Sequence, residues 1–474
     1  MNTYPMYIGG KPVHTGRSLD IVDPALDEPF ARVAAAGPEQ VEAAVAAARA
    51  AFPHWAASPH ASRAALLHAL AGALEAHMGE LMELVTRETG KPLQGLNQVG
   101  AGMELGGAIA WTRVTAGLSL EPELIQDNAR ARVEVHRKPL GVVASITPWN
   151  WPLMIAIWHV IPALRAGNTV VLKPSEFTPV ATARFVELAN AILPPGVLNM
   201  VAGGGEVGAA LTAHPGVDKI VFTGSTRTGK RIMEGAAASL KRITLELGGN
   251  DAGIVLPGID VRAAAPRLFG AAFHNNGQTC ACLKRLYVHD SQYEELSAEL
   301  ARLASRAKVG NGLEPGVELG PLQNRGQLDI VKALAADAHA QGGRFLSGGE
   351  ARTGRGYFFD PAIVTGLSNG TRLVDEEQFG PILPVIRYAD VEEAIRLAND
   401  NPNGLGGSVW SSDLARAVQV ARRLECGTVW INEHGAVQPD APFGGVKQSG
   451  IGVGFGRQGL EEFTSIQTVK IMKG

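Results

Sequence analysis

The sequence predicts an α/β fold in which a parallel sheet is covered by helices on both faces. From about residue 140 onward, short β-rich runs alternate with helical stretches. Such βαβ alternation is typical of parallel sheets, which bind ligands at the carboxyl ends of their strands. The length of 474 residues predicts more than one domain, because single cores stop growing near roughly 250–300 residues.

Two amphipathic helices are predicted ahead of the sheet, over residues 39–52 and 62–85. In the second helix, apolar residues recur at helical spacing behind Ser62, which would serve as its N-cap. The recurring residues are Leu66, Leu67, Leu70, Leu74, Leu81 and Met82.

The first sheet is predicted from a series of β-rich runs, each separated from the next by a helical stretch. The runs are 142–146, 169–172, 197–201, 219–222 and 243–245. The helices between them are predicted near 153–165, 178–192, 205–213 and 227–238.

A second α/β unit is predicted to begin after Gly248 and Gly249. A helix near 261–274 leads to Cys280, and a strand follows at 285–288. The later elements are helices near 291–307, 324–339, 390–399 and 413–424, alternating with strands near 381–387, 406–410 and 428–432.

Two segments fit neither unit, residues 124–139 and 464–472. Both have the pattern of exposed strands, and an uncovered strand edge invites pairing with another chain. We therefore expect a partner subunit to cover them.

The balance of charge argues against two classes of partner. With 43 basic and 46 acidic residues the net charge is −3, so no basic surface for nucleic acid or an anionic membrane is expected. Residues 1–13 lack the apolar segment of a signal peptide. The most apolar stretch, 151–164, is short for a membrane span and contains His159 and Pro162.

The cysteine content predicts a cytoplasmic protein, because three cysteines in a chain of this length fit a reducing compartment. Cys282 and Cys426 are interpreted as structural. Cys280 and Cys282 have no further cluster of cysteine or histidine nearby in the sequence, which is poor spacing for a metal. No zinc site is expected.

Cys280 is the candidate nucleophile. It ends the polar run 273–280, and Glu246 lies upstream at the end of a predicted strand, from which its carboxylate could reach the thiol. A thiol that can be activated and a carboxylate that can act as base suggest covalent catalysis. Alternatively, Cys280 could be an inert buried thiol, which is the usual state of a free cysteine. Glu246 could likewise be an ordinary surface carboxylate.

The segment 222–229 is the candidate phosphate site, because it lies where a strand feeds a helix. Gly224 lets the backbone approach a phosphate, and the helix N-terminus supplies amides and a favourable dipole. The spacing differs from the usual dinucleotide motif, so a plain strand-to-helix turn explains it equally well. After another strand, Lys173 and Glu176 could bind ribose hydroxyls, or Ser175 could simply cap a helix.

Asn150 follows the first strand of the sheet and is a candidate donor to an oxyanion, an interaction worth about 3 kcal/mol in known cases. The alternative is a turn role, which is common for asparagine near proline. Trp151, Met154 or Ile155, and Trp158 would share one helical face. That face would form either core or the wall of an apolar substrate site.

Seven motifs in order and with matching spacing resemble the NAD(P)-dependent aldehyde dehydrogenase superfamily over nearly the whole chain. They are Pro148-Trp149-Asn150, Lys173-Pro174-Ser175-Glu176, Phe222-Thr223-Gly224-Ser225, Glu246-Leu247-Gly248-Gly249, Gly277-Gln278-Thr279-Cys280, Glu377-Gln378-Phe379-Gly380-Pro381 and Pro442-Phe443-Gly444-Gly445. The resemblance implies an NAD-binding domain at 1–122 and 141–246, a catalytic domain at 247–450, and an oligomerisation arm at 123–140 and 459–474. It also implies a homodimer or homotetramer.

The resemblance further implies oxidation of an aldehyde to a carboxylic acid. Cys280 would attack the aldehyde, Asn150 and the Cys280 N–H would form the oxyanion hole, and Glu246 would activate water to hydrolyse the thioester. The implied cofactor residues are Thr147, Trp149, Lys173, Ser175, Glu176, Gly224, Ser225, Glu377 and Phe379. Glu176 favours NAD, because a 2′-phosphate would face its carboxylate, while NADP stays open.

The sequence departs from the family pattern in ways that bear on the reaction. Asn250 stands where lysine is usual. Val453-Gly454 replaces a common Arg-Glu pair, and because some family members relay protons through that glutamate, we expect a heavier dependence on Glu246. The implied substrate pocket consists of Trp151, Trp158, His274, Thr279, Val437 and Phe443, with Glu433 and His434 as further candidates. It contains no arginine pair, which favours an aromatic or medium aliphatic aldehyde over a semialdehyde acid.

Two alternatives stay open at this point. One is transfer of the acyl group to coenzyme A, against which a water-activating Glu246 argues. The other is a catalytically silent binding or structural protein on the same fold, against which the presence of Cys280, Glu246 and Asn150 argues.

Overall fold

The computed structural model describes residues 1–473, and Gly474, the last residue of the predicted arm, lies outside the described residues. The α/β prediction is confirmed. The strands form an eight-stranded sheet, a seven-stranded sheet and three smaller sheets.

The first part of the chain contributes short strands and four helices. They are β1 (Asn2–Tyr4), β2 (Met6–Ile8), β3 (Lys11–Val13), β4 (Ser18–Asp23), β5 (Glu28–Ala34), α1 (Pro38–Ala57), α2 (His60–Ala76), α3 (Met78–Thr89) and α4 (Ala101–Gly117). The prediction of one helix over 62–85 is wrong, because the backbone leaves helical geometry at His77 (φ −109°, ψ 17°). Helical periodicity alone does not reveal the break, since Leu81 of α3 returns to the same core as Leu74 of α2.

The middle part contributes two strands of the predicted arm, followed by the strands and helices that were predicted as the first sheet. They are β6 (Glu123–Asp127), β7 (Ala131–Pro139), β8 (Val142–Ile146), α5 (Pro152–Ala166), β9 (Thr169–Lys173), α6 (Val180–Asn190), β10 (Leu198–Met200), α7 (Gly205–Ala213), β11 (Lys219–Thr223), α8 (Thr226–Ala237) and β12 (Arg242–Glu246).

The remaining part contributes the second sheet and the C-terminal strand. Its elements are β13 (Asp251–Val255), α9 (Val261–Phe273), β14 (Leu283–His289), α10 (Tyr293–Arg306), α11 (Arg325–Ala340), β15 (Arg344–Ser347), β16 (Ala362–Thr365), α12 (Arg372–Asp375), β17 (Ile382–Tyr388), α13 (Val391–Asn399), β18 (Asn403–Gly404), β19 (Gly406–Trp410), α14 (Leu414–Ala421), β20 (Thr428–Ile431), β21 (Val446–Lys447), β22 (Gly450–Ile451), α15 (Gly456–Glu461) and β23 (Thr464–Met472).

The eight-stranded sheet has the order β22-β12-β11-β8-β9-β10-β2-β3. Its five central strands, from β12 to β10, are the predicted β-rich runs, and they are mutually parallel. The edge strand β22 pairs antiparallel with β12, and at the other end of the sheet β2 pairs antiparallel with β10 and with the edge strand β3. The register pairs Ile146 with Lys173 and Thr223 with Glu246, so these strand ends lie along one edge of the sheet.

The seven-stranded sheet has the order β15-β16-β17-β14-β13-β19-β20 and is parallel except at β15. Separate apolar clusters form its core, and another surrounds the first sheet. The strand β22 returns from this part of the chain to pair with β12 of the first sheet. The predicted domain boundaries stay a prediction.

The two leftover segments meet in a three-stranded antiparallel sheet of β23, β7 and β6. The pairing of β23 with β7 runs from Thr464 opposite Pro139 to Met472 opposite Ala131. Apolar side chains on this arm face solvent, since Ile125 is 58% and Ile466 is 63% exposed. Of the helices in residues 1–473, none has the length and apolar character needed to cross a membrane.

Candidate active site

The loop that carries Cys280 is polar because of its backbone shape. Asn275, Asn276 and Gly277 follow α9 in left-handed conformation, with φ of 50°, 55° and 73°. Asparagine and glycine tolerate this region best. The Asn275 side chain donates to the carbonyls of Gln278 and Asn150, both at 3.1 Å. The polar residues therefore hold the backbone of the loop that leads to Cys280 in one conformation.

Gly277 also allows a close backbone contact. A Cβ atom at this position would lie 2.3 Å from the carbonyl oxygen of Gly380. A side chain there would push the Cys280 loop away from the segment that carries Glu377 and Phe379.

Gly248 and Gly249 serve a similar purpose after strand β12. A Cβ on Gly248 would lie 2.2 Å from the Glu377 carboxylate, and one on Gly249 would lie 2.6 Å from the Cys280 carbonyl oxygen. The Gly249 N–H donates to Glu377 at 3.2 Å. The two glycines therefore bring β12, Glu377 and the Cys280 loop together.

Asn250, which stands where the family usually has lysine, reinforces this arrangement. Its side chain is buried and donates to the carbonyls of Val374 and Asp375, at 2.9 and 3.2 Å. It thereby ties the turn after β12 to the segment immediately before Glu377.

Cys280 is half-buried. Burial raises the pKa of its thiol to about 12, and the carboxylates of Glu246, Glu377 and Asp251 add to the rise. The ammonium group of Lys284 acts in the opposite direction. The free thiol is therefore protonated at neutral pH, and forming the thiolate requires help from its surroundings.

Lys284 was missed by the sequence analysis. It lies on β14 with 1% of its side chain exposed, and its Nζ atom donates to the carbonyls of Thr279 and Cys280 at 2.8 and 2.5 Å. The same atom lies 3.1 Å from the Glu377 carboxylate. The available signal was a lysine inside an apolar strand, because lysine is almost never fully buried without a partner.

Asn150 is buried, and its side-chain amide donates to the Gln278 carbonyl at 2.9 Å. An asparagine amide has two N–H donors, so one donor is still available for a ligand. The Asn150 backbone carbonyl accepts from Lys91 at 2.9 Å. Lys91 forms a buried ion pair with Glu104, and the sequence analysis missed both residues.

Glu246 lies at the end of β12 with both carboxylate oxygens buried and without a hydrogen-bond partner within residues 1–473. Burial raises the pKa of this carboxyl well above its usual value, and the nearby charge of Glu462 adds to the rise. A Cβ on Gly444 would lie 2.7 Å from the Gly452 carbonyl oxygen and 3.2 Å from Glu246 Oε1, so the glycine permits the close backbone packing beside this carboxylate. A raised pKa suits a general base that works near neutral pH.

Glu462 lies in a small polar cluster beside β12. Its carboxylate accepts from Thr244 at 3.1 Å and lies 3.7 Å from the Lys219 ammonium. A Cβ on Gly452 would lie 3.0 Å from Glu462 Oε2, so the glycine leaves room for this carboxylate. This acidic residue near Glu246 was also missed by the sequence analysis.

A large cleft, here called the outer cleft, lies at the carboxyl ends of β8, β9 and β11 and has a volume of about 690 Å³. The buried ammonium of Lys173 lines it, 3.9 Å from Glu176, and burial lowers the pKa of this lysine. Ser225 caps α8 by accepting from the Thr228 N–H at 3.3 Å. Predicted cofactor residues that line the outer cleft are Thr147, Trp149, Lys173, Ser175, Glu176, Gly224 and Ser225.

A smaller inner cleft of about 230 Å³ adjoins the outer cleft and shares Trp149, Gly224 and Ser225 with it. Asn150, Cys280, Glu377 and Phe379 line the inner cleft. The Phe379 ring meets the Trp149 ring edge to face, with centroids 5.3 Å apart. A dinucleotide fits this pair of clefts, because a glycine-lined helix N-terminus, a buried ammonium and two carboxylates face the same continuous space.

The third cavity, here called the aromatic cavity, has a volume of about 440 Å³ and is also lined by Cys280. The Trp111, Trp158 and Phe455 rings pack against one another, with centroids 4.7 to 5.6 Å apart. Burial lowers the pKa of His274 to about 4, so this side chain is neutral at pH 7. Predicted pocket residues that line the cavity are Trp151, Trp158, His274, Thr279, Val437 and Phe443, together with Glu433 and His434.

These features define an α/β protein with a dinucleotide-sized cleft and an aromatic cavity that meet at one cysteine. The chain belongs to the aldehyde dehydrogenase family, which it matches over residues 12–469. It is an NAD(P)-dependent aldehyde dehydrogenase, and this confirms the class predicted from the sequence.

Several aldehyde dehydrogenases align with almost the whole length of this chain. The phenylacetaldehyde dehydrogenase of Pseudomonas fluorescens is 40% identical, covering 99% of this chain and 96% of its own. The chloroplastic betaine aldehyde dehydrogenase of Beta vulgaris is 37% identical, covering 98% of this chain and 95% of its own. The NAD⁺ complex of an aldehyde dehydrogenase from Bacillus cereus has a TM-score of 0.96 at 36% identity, covering 99% of this chain and 96% of that one.

Proposed function

We propose that this enzyme oxidises an aromatic or medium-length aliphatic aldehyde to the carboxylic acid, with NAD as the preferred cofactor. The observation that carries the proposal is that Cys280 lines both the inner cleft and the aromatic cavity. A thiol at this junction can attack an aldehyde held on one side while a cofactor is held on the other.

The proposed catalytic residues act in sequence on one carbon atom. Once the thiol has released its proton to solvent, the Cys280 thiolate sulfur forms a bond to the aldehyde carbon as the carbonyl π bond breaks, and the oxygen gains the negative charge that the Asn150 amide and the Cys280 N–H would stabilise. When bound, NAD supplies the acceptor for the hydride that leaves this carbon. The acyl group then stays on Cys280 as a thioester.

Glu246 is proposed as the general base for the second half of the reaction. It would take a proton from water, whose oxygen attacks the thioester carbon, and the Cys280–acyl bond would then break to release the acid. Its raised pKa and its lack of hydrogen-bond partners support this role. Without an acid at Gly454 to relay protons, hydrolysis depends on Glu246.

The clefts are proposed to hold the cofactor through residues from several strand ends. Lys173 and Glu176 would bind the adenosine ribose, Ser225 the pyrophosphate and Glu377 the nicotinamide ribose. Glu176 disfavours a 2′-phosphate through charge repulsion, so Glu176→Gln is expected to raise kcat/KM with NADP relative to NAD.

The aromatic cavity supports an uncharged, ring-containing substrate. Its lining carries one cationic side chain, Arg267, and one anionic side chain, Glu433, so it has no net charge when its histidines are neutral. Aromatic rings pack well in tilted and edge-to-face arrangements, which Trp111 and Trp158 offer here. The phenylacetaldehyde dehydrogenase relative agrees with this substrate class.

The test is NADH formation across phenylacetaldehyde, hexanal, betaine aldehyde and succinic semialdehyde, with Cys426→Ser as the matched control. Phenylacetaldehyde or hexanal is expected to give the highest kcat/KM, and Cys280→Ser to abolish turnover while Cys426→Ser retains it. Preference for either charged aldehyde would overturn the substrate proposal, and turnover by Cys280→Ser would overturn the nucleophile.

A further inference from the structure

Lys284 is a buried cation placed directly behind the nucleophile. Only 1% of its side chain is exposed, so its charge needs compensation from groups in the protein interior. That compensation comes from the Thr279 carbonyl at 2.8 Å, the Cys280 carbonyl at 2.5 Å and the Glu377 carboxylate at 3.1 Å. Cys280 and Glu377 line the inner cleft, and Thr279 precedes Cys280 in the same loop.

The position of Lys284 follows from the strand that carries it. β14 begins at Leu283, three residues after Cys280, pairs with β13 on one side and β17 on the other, and is buried from Leu283 to Val288. The next residue, Arg285, is also buried, but it donates to the carbonyls of Asn250 and Ala398. Of these adjacent cations, Lys284 is the one hydrogen-bonded to the Cys280 peptide.

We propose that Lys284 is the positioning residue of the nucleophile: it holds the Cys280 peptide through two carbonyl hydrogen bonds, anchors Glu377, and stabilises the Cys280 thiolate. This inference rests on the proposed role of Cys280 as nucleophile. A charged lysine favours a nearby anion over the neutral thiol, and an opposite charge within about 4–6 Å typically changes a pKa by 1–3 units.

The other charges around Cys280 oppose thiolate formation. Glu246, Glu377 and Asp251 all raise the pKa of the thiol, while Lys284 lowers it. The ion pair with Lys284 offsets the Glu377 charge, which lies nearest to the lysine. Lys284 therefore favours the thiolate in two ways: its charge attracts the sulfur anion, and it offsets the Glu377 charge that would repel that anion.

The electrostatic role predicts opposite effects from two substitutions in one assay. Lys284→Met removes the favourable charge, so alkylation of Cys280 by iodoacetamide at a fixed pH below the thiol pKa is expected to slow about tenfold or more. Glu377→Gln removes an opposing charge, so the same alkylation is expected to become faster. A purely structural disturbance would not produce changes of opposite sign.

The measurement is the rate of alkylation between about pH 7 and pH 10, without aldehyde or NAD, with the modified cysteine located by fragmentation of the peptide in the mass spectrometer. Lys284→Arg keeps the charge and is expected to remain within a few-fold of wild type. Lys241→Met, which removes a buried ammonium that donates to His214 and Ser239, is the matched control and is expected to leave the rate unchanged.

The inference is overturned if Lys284→Met and Lys241→Met both match wild type, or if Lys284→Met and Glu377→Gln both slow alkylation. If Lys284→Met does not fold, the Glu377→Gln arm decides, and a rate equal to or below wild type overturns the inference. Because alkylation involves no turnover, this result is independent of whether Cys280→Ser abolishes aldehyde oxidation.

Discussion

The buried ion pair of Lys91 and Glu104 is predicted to hold the Asn150 loop in place. Both side chains have 0% exposure. Glu104 Oε1 accepts from the N–H groups of Leu153 and Met154 in the first turn of α5, at 3.0 and 3.2 Å. Lys91 donates to the Asn150 carbonyl, and its Nζ atom lies 3.4 Å from the centre of the Trp151 ring.

The geometry gives the size of the expected effect. Removing one partner of a buried ion pair costs about 3–5 kcal/mol, because the other charge is left without compensation. Lys91→Met leaves the Glu104 carboxylate with only two amide donors, and Glu104→Gln leaves the Lys91 ammonium without its counter-ion. The double variant removes both charges, so its cost is expected to fall below the sum of the singles by about 1–3 kcal/mol.

Activity should fall along with stability. Lys91 contacts the residue proposed to donate to the oxyanion, and a shift of about 1 Å in a positioned group can cost roughly 100-fold in rate. Lys91→Met is therefore expected to lower kcat with little change in the affinity for NAD, because Lys91 lines neither the outer nor the inner cleft.

The assay is a double-mutant cycle on the free energy of unfolding in guanidinium, with kcat measured for each variant. The control is Arg113→Gln, which breaks an ion pair with Glu75 whose partners are 47% and 58% exposed. An exposed pair contributes only about 0–1 kcal/mol. Single variants no worse than this control, or strictly additive costs, would refute the reasoning.

Three further predictions follow from neighbouring features. Glu462→Gln removes a charge that raises the pKa of Glu246, so the rise of the hydrolysis rate with pH should move to lower pH; an unchanged or upward-shifted profile would contradict this. Gly277→Ala forces a side chain against the Gly380 carbonyl at positive φ, so the melting temperature and kcat should both fall, whereas Gly258→Ala, with positive φ but open space, should lower stability alone. If the arm is an interface, Ile466→Asp should lower the mass measured by light scattering, while Leu240→Asp, the same kind of change at an exposed apolar residue outside the arm, should not.

The sequence was most informative about candidate site residues that lie at strand ends. Glu246, Lys173 and Thr223 end parallel strands, and a βαβ pattern is enough to predict that such ends lie along one edge. The polar run before Cys280 was recognised as unusual, although its cause, two left-handed asparagines, required the backbone to be seen.

Lys91 and Glu462, two of the missed residues, make contacts with parts of the chain that are distant in sequence. Lys91 reaches Asn150 and Glu104, and Glu462 lies beside Thr244, far from it in sequence. Nothing in local periodicity or spacing reports such pairs. The N-terminal strands β1 to β3 were missed because three residues are too few to show alternation.

The most direct test of the proposed chemistry is to look for the acyl group on the enzyme. Glu246→Gln is mixed with phenylacetaldehyde and NAD, quenched in acid, and analysed by mass spectrometry of the intact and digested protein. The proposal predicts one NADH formed per active site, followed by slow turnover, and one acyl group located on Cys280 itself by fragmentation of the peptide that also contains Cys282. Steady turnover by Glu246→Gln, or an acyl group on Cys282 or Cys426 instead, would contradict it.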